Sequence, residues 1–232
     1  MFVPFGTSHL LVLALVAGVA AALIALVRLW SAAWLIRIVR WALAAILMTG
    51  WGLWFLLISE QGWVSAGTLL PMQLCDWATI ATAATLIYPN QRTYELGYFW
   101  VLGGTLQALL TPALVADYPD LGFLVFFVLH GGVIVSVLLL TLGLRMRPLP
   151  SSIPRIAVWS LAYLVSALAV NAIFGTNFGF LREKPAQPSL LDYLAPWPYY
   201  IAELALITVV TIAVLYAPFF VRDWIAGRRS HG

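Results

Sequence analysis

The chain is 232 residues long, 63% hydrophobic and only 9% charged, with a mean hydropathy of +0.97. A soluble domain has about a quarter of its residues charged, so this composition belongs to an integral membrane protein, and the length leaves no room beyond one helical bundle. The formal charge of +3 is small, no basic run is interleaved with aromatics as a nucleic-acid surface requires, and a single cysteine excludes an internal disulfide.

Seven apolar stretches follow in chain order. The first, His9 to Val27, has no positive charge before it and has Arg28, Arg37 and Arg40 after it. That is the reverse of a secretory signal, so it reads as a retained helix. Trp34 to Ile58 is the second, with Trp41, Trp51 and Trp54 as interfacial or packing aromatics. Leu69 to Tyr88, Tyr94 to Leu114, Leu121 to Leu144, Ile156 to Phe174 and Trp197 to Val221 complete the set. The expected architecture is all-α: residues 1–232 form a single transmembrane domain, a polytopic bundle of seven transmembrane helices with one long outer loop over 175–196. A loop of that length is more often functional than decorative.

Arginine placement orients such a bundle. Arg28, Arg37, Arg40, Arg92, Arg145, Arg147, Arg155, Arg222, Arg228 and Arg229 fall on one set of connections, and only Arg182 and Lys184 on the other. The positive-inside rule then puts the N-terminus outside and the C-terminus in the cytoplasm. The expected location is the cytoplasmic (inner) membrane of a bacterium.

The third stretch is the unusual one. It carries Gln73, Cys75, Asp76 and three threonines, where a segment that merely crosses lipid would be cheaper without them. Pro71 suits a first helical turn, which would put the only cysteine near a helix N-terminus. At about 1.5 Å per residue from the outer end of each span, Cys75, Asp76, Gln107, His130 and Glu203 form one layer, roughly 9–14 Å deep. Asn171 lies slightly higher, and no comparable set is expected in the cytoplasmic half. Polar groups from several helices at one level point to an outward-facing cavity, because lipid cannot satisfy them. Gly131 and Gly132, next to His130, allow another helix or a lipid tail to approach closely.

A cysteine and a histidine there suit nucleophilic acyl transfer: imidazole takes the thiol proton, the thiolate attacks an ester, and a thioester on Cys75 passes its acyl group onward. Asp76, Asp117 or Glu203 could orient the imidazole, and the sequence does not choose among them. The bland readings stand beside this one. A lone membrane cysteine is commonly a small packing residue, and a histidine there can simply bond across helices. Gln107 and Asn171 suit interhelical hydrogen bonding. Glu203 and Asp192 could pair with Lys184 and Arg182, and Trp197 between two prolines could anchor the start of the last span at the interface.

The motifs LCD at Leu74 to Asp76, FWVLGGTLQALLTP at Phe99 to Pro112, FFVLHGG at Phe126 to Gly132 and LREKPAQPSLLDYLAPWP at Leu181 to Pro198 carry a resemblance. The sequence resembles the YwaF-type family of bacterial integral membrane proteins and, more distantly, the animal transmembrane protein 164 family. The resemblance covers spans three to seven in order. It implies a cysteine-dependent phospholipid acyltransferase with Cys75 as nucleophile and His130 as its partner. Asp76, Gln107, Asp117 and Glu203 are candidate supporting residues. Asn171, Asn177, Lys184, Asp192 and Trp197 are candidates for substrate binding or for building the loop.

An outward-opening site cannot meet cytosolic acyl-CoA, so membrane lipids are the expected substrates. No cofactor, nucleic acid or protein partner is expected. His130 with Asp76 and Glu203 lacks the close spacing of a metal site, so no metal is expected either. The competing expectation is a transporter or ligand-binding membrane protein using the same polar layer.

Overall fold

The computed structural model describes residues 1–185 and 189–229, with side chains through residue 226. His231, expected in a tail, lies outside the described residues, as do the side chains of Arg228 and Arg229 and positions 186–188 of the outer loop. The helices are α1 (Thr7–Leu29), α2 (Ala33–Glu60), α3 (Ala66–Leu69), α4 (Leu74–Ile87), α5 (Gln91–Trp100), α6 (Leu106–Leu110), α7 (Leu121–Leu138), α8 (Ser152–Phe174) and α9 (Tyr200–Arg229). A π-turn at Val101–Thr105 joins α5 to α6, and a second at Leu139–Gly143 extends α7. No strand occurs among the described residues.

Five of these segments are long and apolar enough to cross a membrane: Thr7–Leu29, Ala33–Glu60, Leu121–Gly143, Ser152–Phe174 and Tyr200–Ala226. They leave large apolar side chains facing outward, such as Leu206, Val209 and Val214 on α9, as a lipid-solvated surface requires. The protein is an integral membrane protein. The remaining two apolar stretches form shorter helical pieces, 14 residues in α4 and 10, 5 and 5 residues in the run from α5 through the π-turn to α6.

The third stretch is not one helix from residue 69. Pro71 lies outside α4 rather than in its first turn. A proline disfavours helical backbone in the residue before it, and Leu70 is extended at φ −76°, ψ 128°. The chain therefore makes a short turn at α3, breaks, and restarts with Gln73 as the N-cap of α4. That puts Cys75 at the second position of its helix.

The core is built by α2, α4, α5 and α7 packing together, with α1 laid against α7. Gly131 is a close-approach point: a Cβ there would lie 2.7 Å from Val16 Cγ2 of α1. Gly132 meets Leu47 of α2, so both glycines serve helix packing.

A second set of buried polar groups sits at the other end of the bundle, contrary to the expectation of none. Glu95, 1% exposed, takes a bidentate pair from Arg155 at 2.8 Å and a bond from Gln91 Nε2 at 2.7 Å. Tyr94 donates to the Met146 carbonyl and meets Thr141, and the Thr85 and Thr93 hydroxyls meet at 2.8 Å. Glu95 and Arg155 are 60 residues apart, and each reads alone as a charge at a helix end.

Removing one member of a buried ion pair costs about 3–5 kcal/mol, because the other charge is stranded. Arg155→Ala is therefore expected to lower the melting temperature in detergent markedly, and Glu95→Leu with Arg155→Leu to recover most of the loss. A single substitution as stable as wild type would show that the pair does not hold α5 to α8.

Candidate active site

Residues from three helices and one π-turn close around a small cavity of about 30 Å³, lined by Trp51 of α2, Cys75, Asp76 and Thr79 of α4, Thr105 of the π-turn, and Leu129 and His130 of α7. That volume suits a water-sized group, and the lining brings a thiol, a carboxyl, two hydroxyls and an imidazole to one place. Cys75 and His130, 55 positions apart and selected by depth alone, share its wall.

Local bonds fix what each group can do. His130 Nδ1 lies 3.0 Å from the Phe126 carbonyl one turn back, and its ring stacks on Phe126 at 4.0 Å between centroids. A carbonyl only accepts, so Nδ1 carries the proton and Nε2 keeps the basic lone pair. The orienting group is thus a backbone carbonyl. Asp76 Oδ2 accepts the Gln73 N–H at 2.9 Å, and so helps cap the start of α4. Gln73 Oε1 in turn accepts the Gly179 N–H at 3.1 Å, tying the helix start to the outer loop.

The other candidate supporters lie elsewhere. Asp117 is in the loop before α7, where the Ser8 hydroxyl and the Tyr118 N–H hold its carboxyl below the usual carboxylate range. Glu203 accepts the Ala195 N–H at 2.8 Å. Gln107 is exposed on α6. The π-turn inserts an extra residue into that helix and rotates the positions beyond it, so Thr105 rather than Gln107 reaches the cavity.

The loop candidates build the loop. Buried Asn171 donates to the Phe178 carbonyl and accepts from the Phe178 N–H and the Thr176 hydroxyl. Asn177 Oδ1 accepts from the Arg182 and Glu183 amides. Lys184 donates to the Leu194 carbonyl at 2.7 Å and sits over the Tyr200 ring. Asp192 caps the short turn Leu190–Tyr193, and Trp197 donates to the Leu181 carbonyl at 3.2 Å. Neither Glu203 nor Asp192 forms an ion pair with Lys184 or Arg182 among the described residues.

Trp51, Thr79, Thr105 and Leu129 complete the lining without having been candidates. Thr79 was legible as the residue one turn beyond Cys75 on the same face. Thr105 was legible only through the GlyGly at 103–104 that accompanies the π-turn.

His9 shows what a structural histidine looks like in this bundle. It is fully buried, its Nδ1 accepts the Phe5 N–H at 2.8 Å, and its Nε2 donates to the Leu109 carbonyl at 3.0 Å. Neither nitrogen is left for chemistry.

Fold and cavity together define a helical integral membrane protein with a cysteine, a histidine and an acid around a small cavity between helices. The sequence model of the TMEM164 family matches residues 4–216, nearly the whole chain, and the protein belongs to that family. No curated protein and no solved structure matches it.

His9→Leu is expected to cost about 1–3 kcal/mol, by leaving two buried backbone groups unpaired, while Cys75 alkylation by iodoacetamide proceeds as in wild type. His130→Leu should do the opposite, sparing the melting temperature and slowing alkylation. Equal effects of the two on alkylation would leave His130 no closer to the thiol chemistry than His9.

Proposed function

We propose that the protein is a cysteine-dependent acyltransferase that moves a fatty acyl group between a phospholipid and a lysophospholipid. The observation that supports this reading most is the shared cavity, whose wall holds the chain's only thiol and an imidazole whose Nε2 makes no hydrogen bond among the described residues. The kinship that its motifs suggest with YwaF-type bacterial proteins fits a place in the bacterial cytoplasmic membrane. In this reading all seven apolar stretches span the bilayer, with the N-terminus outside and the cavity in the external half.

The chemistry proceeds in two halves. His130 Nε2 takes the Cys75 proton, and the thiolate sulfur attacks the ester carbonyl of the donor lipid. The tetrahedral intermediate collapses by breaking the carbon–oxygen bond, and the imidazolium returns its proton to the departing lysophospholipid oxygen. A hydroxyl of the acceptor, deprotonated by the same nitrogen, then attacks the Cys75 thioester and regenerates the thiol. A site on the external side is out of reach of cytosolic acyl-CoA, so the donor is a phospholipid of the outer leaflet. Asp76 shapes the site by holding the first turn of α4, and the outer loop braces it through Gly179.

The buried polar groups around Glu95 favour a second reading, in which polar layers at both ends of the bundle serve transport. Flux through proteoliposomes that is unaffected by Cys75→Ala would establish it in place of acyl transfer.

The deciding experiment is the intact mass of the purified protein after incubation with phospholipid. Wild type is expected to gain a fatty-acyl mass that hydroxylamine removes, and Cys75→Ser is expected to gain no hydroxylamine-labile mass. His130→Ala should slow acylation about 10²–10⁴-fold, the usual contribution of a general base. No adduct together with no lipid conversion would exclude the acyltransferase.

A further inference from the structure

Thr105 differs from five other helical hydroxyls of this chain in how it is bonded. Thr82, Thr85, Ser136, Thr141 and Thr208 each donate to the carbonyl four residues back. That local bond is how a hydroxyl is normally satisfied inside a membrane helix. Thr105 does not make it. Its residue is 1% exposed, and its Oγ1 has no hydrogen-bond partner among the described residues. In the π-turn the Val101 carbonyl, four residues back, receives the Leu106 N–H instead. Thr141 in the second π-turn keeps its bond to Val137, so π geometry alone does not force the loss.

A buried hydroxyl left unpaired costs about 1–3 kcal/mol, which a helix interior could avoid with valine at the same volume. Thr105 lines the cavity beside Cys75 and His130. The one polar group within its reach is the Cys75 thiol, towards which the hydroxyl can donate a side-chain hydrogen bond, although the pair falls short of full hydrogen-bond geometry. The group is a donor held next to a nucleophile, with no described protein oxygen or nitrogen taking its proton.

We propose that Thr105 is the oxyanion donor of the site, its hydroxyl binding the oxygen of the ester carbonyl as the Cys75 sulfur adds to it. This rests on the acyl-transfer reading and adds to it a catalytic group. As the carbon–sulfur bond forms, the carbonyl π electrons move onto oxygen, and Thr105 donates a hydrogen bond to that oxygen without giving up its proton. When the oxyanion collapses, the carbonyl re-forms and the bond to the lysophospholipid oxygen breaks. The same donor serves the second half-reaction, where the acceptor oxygen adds to the thioester. A donor aimed at the oxyanion in a water-poor site stabilises the transition state more than the neutral carbonyl. The other lining groups are less suited: Asp76 accepts when ionised, and Thr79 lies one turn along α4 from the sulfur.

The test compares two reactions of the single cysteine. Acylation by phospholipid passes through an oxyanion, whereas displacement of iodide from iodoacetamide does not. Thr105→Val is expected to slow acylation, followed by intact mass, about 10²–10³-fold while alkylation stays at the wild-type rate. Thr105→Ser, which restores the hydroxyl, should recover most of the acylation rate. Thr208→Val, at a hydroxyl exposed on α9 and bonded within its own helix, should leave it close to wild type. Undisturbed alkylation also reports that each variant is folded, and Thr105→Ala replaces Thr105→Val if the latter fails that check.

Undiminished acylation in Thr105→Val overturns the donor role alone, and so does a parallel fall in both reactions, which would assign the hydroxyl to the thiol. A greater loss from Trp51→Phe or Thr79→Val than from Thr105→Val overturns it in favour of that residue. A wild-type protein that is alkylated but never acylated, and that converts no lipid, overturns the acyl-transfer reading and the donor role with it.

Discussion

The first-turn amides of a helix have no partner within it, and the start of α4 is built around that constraint. Pro71 breaks the preceding segment, Gln73 becomes the N-cap, and Asp76 accepts the Gln73 amide. The Gln73 side chain then reaches the Gly179 amide in the outer loop. Gly179 has φ 65°, and a Cβ there would lie 2.8 Å from the Tyr163 hydroxyl of α8, so the loop can press onto the helix start only with glycine at this point. Asn171 holds the loop by both its donor and its acceptor. The position of Cys75 therefore depends on a chain of bonds running from α8 through the loop to α4.

The same chain of bonds recasts the long outer connection. Its proline, asparagine and aromatic density reads from sequence as a functional loop, and the structure gives those residues architectural work. Asn177, Lys184, Asp192 and Trp197 each bond to the backbone of the loop itself. Its link to the cavity runs through Gln73 and the first turn of α4, and none of its described side chains lines the cavity.

One-dimensional physics made much of this legible in the sequence. Hydropathy located the five long apolar helices, and Cys75, Asp76 and His130, from the set that depth picked out, line one cavity. Depth failed for Gln107 and Glu203 because it says nothing about rotation around the helix axis. The π-turn before Gln107 changes that rotation, and Glu203 is drawn to the Ala195 amide. The Glu95–Arg155 pair was hidden for another reason: at helix ends a charge is expected on composition alone, so its burial is visible only in three dimensions. Arginine placement carries a similar ambiguity. Arg28 donates to the Leu142 carbonyl and Arg40 to the Leu86 and Ile87 carbonyls, where a cation complements the negative ends of helices. Part of the charge asymmetry on which the expected orientation rests is thus also a packing requirement.

The size of the cavity sets a condition on the chemistry. At about 30 Å³, the space among Cys75, Thr105 and His130 suits a group the size of a water or a carbonyl. In the acyl-transfer reading proposed above, the chain and the glycerol portion of a lipid would lie between helices or in the bilayer, where the surrounding surface is already apolar. Selection among lipids would then fall to the helices that flank the cavity, while the lining groups would act on an ester linkage common to many of them. Such a site would separate recognition from reaction: the bilayer would present the substrate, and the protein would supply one thiol, one base and one hydroxyl donor.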